Sequence, residues 1–261
     1  MSEKCRPYII TDNNLNLSVA WAKAFIASIE PTKSDLSPLL IRVKDFSNNI
    51  IQEDKVIKDS IDEHLASLSE QSCHTVANTI FPISLWNPKL KRKVLYDRYK
   101  RIFPSIQKSC MANKFGLYFQ RMISYDGSEE NNQLEKIITT YVDKGIHRTS
   151  ALQISIFDPL KDHRKTPFLV FPCLQHVIFT PIGNNSLAVT GIYAKQYLFK
   201  KAYGNYLGLC RLGQFVAHEL GMTLAQMNCY VADAEVEISK TQANDIKNKL
   251  KRRLKDLGHN I

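Results

Sequence analysis

Three side chains in one segment of the chain have the types and spacing needed to act on a nucleotide base. Cys173 follows a proline, Lys195 comes 22 positions later, and Asn205 follows ten positions after that. A thiolate can add covalently to an electron-poor ring, a cation can bind a phosphate, and a side-chain amide can pair with the edge of a ring. We therefore expect a nucleotide site with Cys173 as its nucleophile. The alternative for Cys173 is a buried thiol on a strand.

The apolar pattern predicts the elements that must position these residues. We predict helices over residues 17–29, 54–68, 74–80, 89–103, 132–143, 206–220 and 241–257, and strands over 39–43, 151–157, 174–180, 186–193 and 228–237. The helix over 206–220 is apolar on almost every side and must be buried. Gly191 is expected at a bulge, and Pro181 begins a turn. Residues 1–261 are therefore predicted to form a single α+β domain, with a mixed or antiparallel sheet packed on the long buried helix.

The formal net charge of +10 favours anionic partners. Much of this charge lies in two segments, 89–102 and 247–257, whose apolar residues recur at helical spacing. We expect the solvated faces of amphipathic helices there. A nucleic-acid contact through the basic tail is a third, weaker hypothesis, and it requires binding that falls with added salt.

The cysteine pattern and the apolar runs bear on the compartment. Six cysteines are present without a CxxC pair, so we expect reduced thiols and no structural zinc or other metal. The first residues contain no apolar run of signal-peptide length, and no stretch of about 18 apolar residues occurs. These features predict a cytoplasmic protein without a membrane segment.

Four segments resemble, in order and spacing, the core motifs of the thymidylate synthase family. They are NQLEKIITTYVDKGIHRTSALQISIFDP, FPCLQH, SLAVTGIYAKQYLFKKAYGNYLGLCRLGQFVAHELGMTL and YVADAEVE. The resemblance covers about residues 113–237, whereas the N-terminal part, about 110 residues, diverges. It implies a thymidylate-synthase-like fold and a homodimer in which both subunits complete each site.

The resemblance also implies a reaction. The family transfers a one-carbon unit from 5,10-methylenetetrahydrofolate to C5 of a pyrimidine nucleoside monophosphate, as a methyl or hydroxymethyl group. By resemblance, Cys173 adds as a thiolate to C6, Asn205 reads the uracil edge through N3–H and O4, and Tyr118 lines the site. These three residues are the expected catalytic set. Asn205 could instead cap a helix, and Tyr118 could be a packing residue.

Further residues match positions that bind the phosphate and the sugar. Arg148 and His147 occupy the places of two adjacent arginines that the family reaches across the dimer interface. Lys195 occupies the place of the arginine in Tyr-Gln-Arg-Ser. Each of these three could instead be a solvent-facing base.

The strand of the Gly-Asp-x-His-x-Tyr motif supplies the sugar contacts in the family. Asp233 matches its aspartate, and Glu235 and Glu237 stand where the family has the histidine and tyrosine that hold the 3′-hydroxyl. Carboxylates can accept hydrogen bonds from hydroxyl groups but repel a phosphate. Gln175, two residues after Cys173, is a further candidate for a sugar or base contact.

Other departures leave two principal hypotheses open. Leu174 replaces the histidine that follows the nucleophile, and the folate-binding helix is absent. Residues 74–86 occupy a comparable place, with His74 and Asn78 one helical turn apart. The favoured hypothesis is a divergent enzyme of this type. The alternative is a nucleotide-binding sensor on the same scaffold with altered catalysis.

Overall fold

A computed structural model describes residues 8–11, 15–29, 37–110, 113, 116–145, 147–163, 172–183 and 185–259. Its sheet has six strands in the spatial order β1 (Tyr8–Ile10), β2 (Leu39–Val43), β6 (Thr223–Glu235), β5 (Ser186–Tyr197), β4 (Leu174–Ile182) and β3 (Gln153–Ser155). The pairs β1–β2 and β5–β6 are parallel, and the other three pairs are antiparallel. The sheet is therefore mixed, and the predicted α+β class is confirmed.

Nine α-helices occur in the described part of the chain. They are α1 (Leu17–Ile29), α2 (Lys55–Ser67), α3 (Cys73–Ile80), α4 (Arg92–Ser109), α5 (Tyr118–Ile123), α6 (Gln133–Val142), α7 (Pro159–Asp162), α8 (Tyr203–Glu219) and α9 (Lys240–Asp256). Side-chain caps define several of the starts. Asn16 accepts from the Val19 amide at 2.9 Å, and Asp54 accepts from the Ile57 amide at 2.9 Å. None of the described helices is long and apolar enough to cross a membrane.

Two predicted boundaries at prolines were wrong. Helix α4 continues through Pro104 to Ser109. Pro104 is exposed, and it has no amide hydrogen to donate to the carbonyl one turn earlier. Strand β4 continues through Pro181, because the antiparallel ladder with β5 extends to the pair Ile182–Ser186.

Gly191 is not at a bulge. It pairs in register with Val177 on β4 and Cys229 on β6. A Cβ at this position would lie 2.6 Å from the Leu209 side chain, so the glycine allows α8 to approach the sheet. One of the two irregularities that the ladders do contain lies between Leu174 and His176.

Helix α8 is the centre of the core. It is buried over nearly its whole length, as predicted, between the sheet and α3. Gly204 and Gly208 face α3: added Cβ atoms would lie 2.8 Å from the Cys73 carbonyl oxygen and 2.9 Å from the Ala77 carbonyl oxygen. The two helix backbones are therefore in close contact, which fixes the start of α8 in the fold.

The basic C-terminal helix is amphipathic, as predicted. A capping box of Ser239 and Gln242 starts α9, which packs against α1 through four apolar residues, Ala243, Ile246, Leu250 and Leu254. Arg253 also donates to Asp54 at 2.6 Å. The remaining basic side chains of α9 lie on its more exposed side.

Replacing Gly204 by alanine should destabilise the protein by about 1–3 kcal/mol, because the new methyl group overpacks against the α3 backbone. Gly183→Ala is the matched control, since a Cβ there meets nothing within 4 Å. The free energy of unfolding in urea measures both. Equal stability of the two variants would contradict the close α3–α8 contact.

Candidate functional site

Most of the predicted site residues lie at one end of the central strands of the sheet, which is called this edge below. The parallel strands β5 and β6 both end there, and the antiparallel strand β4 begins there. Cys173 directly precedes β4, and its carbonyl oxygen accepts from the Ala194 amide at 3.0 Å. Lys195 follows on β5, opposite Asp233 on β6. The start of α8, with Asn205, reaches the same edge after a short π-helical segment, Leu198–Ala202.

Cys173 is a half-buried free thiol. Burial raises its pKa above the ordinary value for a thiol, whereas the positive charges of Lys195 and Lys201 lower it. Among the other described cysteines, Cys73, Cys210 and Cys229 are buried and Cys110 is half-buried. Cys5 lies outside the described residues. The electrostatic setting of Cys173 is that of a thiol whose thiolate depends on neighbouring cations.

A bulge next to Cys173 shapes the entry to β4. The carbonyl oxygen of Gln175 accepts from two amides, those of Ile156 at 2.9 Å and Phe157 at 3.2 Å. The Gln175 side chain donates to the carbonyl oxygen of Pro172. It therefore braces the chain around Cys173. Bulges of this kind often re-aim side chains beside active sites.

Tyr118 lies next to Cys173 in space. Burial raises the pKa of Tyr118 far above its ordinary value, and the nearby Cys173 thiolate also raises it. Hydrogen bonding from the backbone of Leu174 and Cys173 lowers it only in part. Tyr118 is therefore a neutral hydroxyl at the site, able to donate a hydrogen bond.

Asn205 is buried, with 5% of its surface exposed, and its side chain has no hydrogen-bond partner among the described residues. Its level in the fold follows from Leu209, which contacts Gly191. Asn205 lies four residues before Leu209, about 6 Å along α8, and Tyr193 lies two residues after Gly191, about 7 Å along β5. Asn205 therefore lies level with Tyr193. Tyr193 pairs across the ladder with Leu174, the neighbour of Cys173.

Lys195, Asp233 and Glu235 form an ion-pair cluster, called the Lys195 cluster below. The ammonium nitrogen of Lys195 lies 2.5 Å from a Glu235 oxygen and 3.5 Å from an Asp233 oxygen. The side chains are 44%, 46% and 57% exposed for Lys195, Glu235 and Asp233 respectively. Hydrogen bonding to Glu235 raises the pKa of Lys195. The cation expected to bind phosphate is thus already paired with two carboxylates.

Glu237 has a different partner. Its carboxylate accepts from the backbone amides of Phe199 and Lys200, at the start of the π-helical segment. Burial raises the pKa of Glu237, although these amides lower it in part. Glu237 therefore stabilises the chain that leads into α8.

Sequence reasoning missed Lys201 and Tyr193, and it placed Gln196 only at the serine position of the Tyr-Gln-Arg-Ser segment without giving it a role. The Lys201 ammonium donates to Gln71 at 3.2 Å, a neutral partner, and its charge acts on Cys173. The Tyr193 hydroxyl and the Gln196 amide nitrogen are buried and have no hydrogen-bond partner in the part of the chain that the structure describes. The lysine pair at 200–201 was visible in the sequence, but the position of Lys201 depends on the π-helical segment. No sequence pattern marks the two unpaired groups.

Arg148 and His147 lie away from this edge. They precede β3, whose first residue pairs with Ile178, so the chain before β3 leads toward the far end of β4. Both residues are exposed, and the His147 ring stacks on Tyr141 at 4.4 Å between centroids. The Arg148 side chain has no hydrogen bond or ion pair among the described residues, and only its carbonyl oxygen accepts, from the Ala151 amide at 2.9 Å. Within the described part of the chain, neither residue contacts Cys173 or Lys195.

His74 and Asn78 both contact Arg211 of α8. The guanidinium of Arg211 lies 3.1 Å from the His74 Nδ1 atom and donates to Asn78 at 3.3 Å. Burial lowers the pKa of His74, and the Arg211 charge lowers it further, which favours the neutral ring. The spacing of one helical turn therefore serves α3–α8 packing.

No model of a known protein family matches the chain. A search of curated proteins also finds no match.

The setting of Cys173 predicts how it reacts with iodoacetamide. Its raised pKa means that alkylation is slow near neutral pH and accelerates as the pH rises beyond the ordinary thiol range. Lys201→Met removes a cation that favours the thiolate, so labelling at pH 8 should fall about two- to fivefold. Peptide mass spectrometry measures the rate of Cys173 labelling, with Cys110 as the internal reference. Lys93→Met is the control for loss of a lysine elsewhere in the chain. An unchanged rate in Lys201→Met would contradict the electrostatic coupling.

Proposed function

We propose that the chain is a thymidylate-synthase-like enzyme that transfers a one-carbon unit to C5 of a pyrimidine nucleotide through an adduct with Cys173. The observation that carries the proposal is the buried, unpaired amide of Asn205 level with the strand residues beside Cys173. The amide makes no hydrogen bond within the described residues and is not among the atoms closed off from solvent, so a bound ring can reach it and pair with it.

In the proposed reaction, the Cys173 sulfur donates an electron pair to C6 of the ring. The electrons of the C5=C6 double bond then move to C5, which becomes nucleophilic. C5 forms a bond to the one-carbon unit as the bond between that unit and its donor breaks, the C5 proton leaves to water, and re-formation of the double bond expels the Cys173 thiolate. A hydroxymethyl product would take its oxygen from water, and a methyl product would need a hydride from the donor. Lys195 and Lys201 favour the thiolate form of Cys173 before it attacks C6 and again when it is expelled.

Asn205 and Tyr118 act on the ring. The Asn205 amide can donate to O4 and accept from N3–H, a combination that favours uracil over cytosine. Tyr118, held neutral by burial, can donate to a ring oxygen or to the water that carries the C5 proton.

The proposed one-carbon donor is 5,10-methylenetetrahydrofolate, on the resemblance. The described residues do not fit a pterin in an evident way. Trp86, in the segment comparable to the family's folate helix, packs edge-on against Phe81 and Phe215, with ring centroids 5.8 Å apart in both cases. Its indole nitrogen is buried without a partner. No step of the proposed mechanism is therefore assigned to the folate.

A homodimer is part of the proposal. Arg148 is an exposed arginine that is not joined to Cys173 in its own subunit. The sheet face away from α8 carries half-buried side chains of mixed polarity, including Ile192, Asn228 and Tyr230. Pairing of two such faces would allow Arg148 of one subunit to serve the site of the other.

The second candidate is a nucleotide sensor without turnover. The pairing of Lys195 with Asp233 and Glu235 favours it, because this cation is less available to hold a phosphate for catalysis. A sensor would show a rise in melting temperature with a pyrimidine nucleotide and no release of the C5 proton.

Release of tritium from C5-labelled uridine and deoxyuridine monophosphates, with methylenetetrahydrofolate present, tests the enzyme proposal. Cys173→Ser should reduce release by at least about a thousandfold, because the oxygen nucleophile is far weaker. Cys110→Ser is the control for loss of a half-buried thiol. Mixing Cys173→Ser with Arg148→Ala should restore part of the activity if sites are shared between subunits.

Each outcome assigns the function. Full release by Cys173→Ser removes Cys173 as the nucleophile. No release by the wild-type protein, together with nucleotide-dependent stabilisation, supports the sensor. Neither release nor stabilisation contradicts both candidates.

A further inference from the structure

The Lys195 cluster is next to Cys173 in the β4–β5 ladder, within reach of the sugar of a pyrimidine bound to that thiol. The sugar is attached to N1, the ring atom next to the C6 that the thiolate attacks. Cys173 and Ala194 are joined through the backbone, and Lys195 is the next residue on β5. The charge of Lys195 also acts on the Cys173 thiol. This reasoning rests on the proposed function.

The charge of the cluster disfavours a phosphate. Two carboxylates and one ammonium sum to a net charge of about −1 at neutral pH. The ammonium is already paired with both carboxylates, at 2.5 Å and 3.5 Å. A phosphate dianion would have to displace at least one carboxylate and would meet repulsion from both.

The same cluster suits neutral hydroxyl groups. Lys195 contacts one oxygen of Asp233 and one of Glu235, and the second oxygen of each carboxylate accepts no hydrogen bond from the described residues. Both side chains are about half exposed, so these oxygens can reach a ligand. Ionised oxygens are strong acceptors for O–H donors. Lys195 pairs with both carboxylates at once.

We propose that the Lys195 cluster is a vicinal-diol subsite that binds the 2′- and 3′-hydroxyls of ribose. The substrate class is then a pyrimidine ribonucleoside or ribonucleotide, and the deoxyribose form lacks one of the two donors. Any phosphate on the ligand lies away from Asp233 and Glu235.

Calorimetric titration with uridine, deoxyuridine and their 5′-monophosphates tests the subsite. The wild-type protein should bind each ribo form at least about tenfold more tightly than its deoxy counterpart. The double variant Asp233→Asn with Glu235→Gln should reduce that ratio to about twofold or less. The double variant should also gain more affinity from the 5′-phosphate than the wild-type protein does, because the two carboxylates no longer repel the phosphate. Asp97→Asn, which removes an exposed carboxylate paired with Lys93 on α4, should change neither ratio.

The outcomes separate this inference from the function on which it rests. Equal or tighter binding of the deoxy forms, with Cys173-dependent tritium release, overturns the diol subsite alone. An unchanged ribo-to-deoxy ratio in the double variant, with its melting temperature preserved, also overturns it. Binding of none of the four ligands by the wild-type protein overturns both the subsite and the proposed function.

Discussion

The close contact of α8 with both α3 and the sheet is the constraint on which the site depends. Gly204 and Gly208 let the backbone of α3 approach, and Gly191 lets Leu209 approach the sheet. A helix held on both sides has little freedom to shift, because packed interiors resist changes of even one methylene group. Asn205 is therefore held at a fixed level beside the strands that carry Cys173 and Lys195.

The electrostatics of the site follow from the strand ends that meet there. Burial opposes the Cys173 thiolate, and Lys195 and Lys201 favour it. The partners of the two lysines differ, since Lys195 pairs with carboxylates and Lys201 with the neutral Gln71. Lys195 has the larger effect on the Cys173 thiolate, whereas Lys201, with its neutral partner, has more of its charge available for an anionic ligand.

Local features of the fold were predictable from the sequence. The cap at Asn16 and the apolar pattern of α8 depend on neighbouring residues, and the structure agrees with both. The ends at Pro104 and Pro181 were not predictable in this way. A proline inside a helix costs one hydrogen bond, and a proline in a strand needs a ladder position without a donor, so whether an element continues through it depends on the tertiary structure.

The site was predictable only in part. The order of Cys173, Lys195 and Asn205 anticipates that they come near one another, because β4, β5 and α8 are consecutive along the chain. The partners of Lys195 come from β6, about 40 residues later, and depend on the parallel register of β5 and β6. The remoteness of Arg148 from Cys173 within the chain depends likewise on the pairing of β3 with β4.

Addition of the Cys173 thiolate to C6 of a pyrimidine is the central claim, and it can be measured without a one-carbon donor. A nitro group at C5 withdraws electrons and stabilises the adduct, so 5-nitrouridine 5′-monophosphate should lose its ring absorbance on binding. We predict that the wild-type protein and Cys110→Ser remove the ring absorbance of one equivalent of the nitro compound per site. Cys173→Ser should leave this absorbance unchanged. Tight binding of the nitro compound with its absorbance unchanged, or an equal loss in Cys173→Ser, would contradict the account.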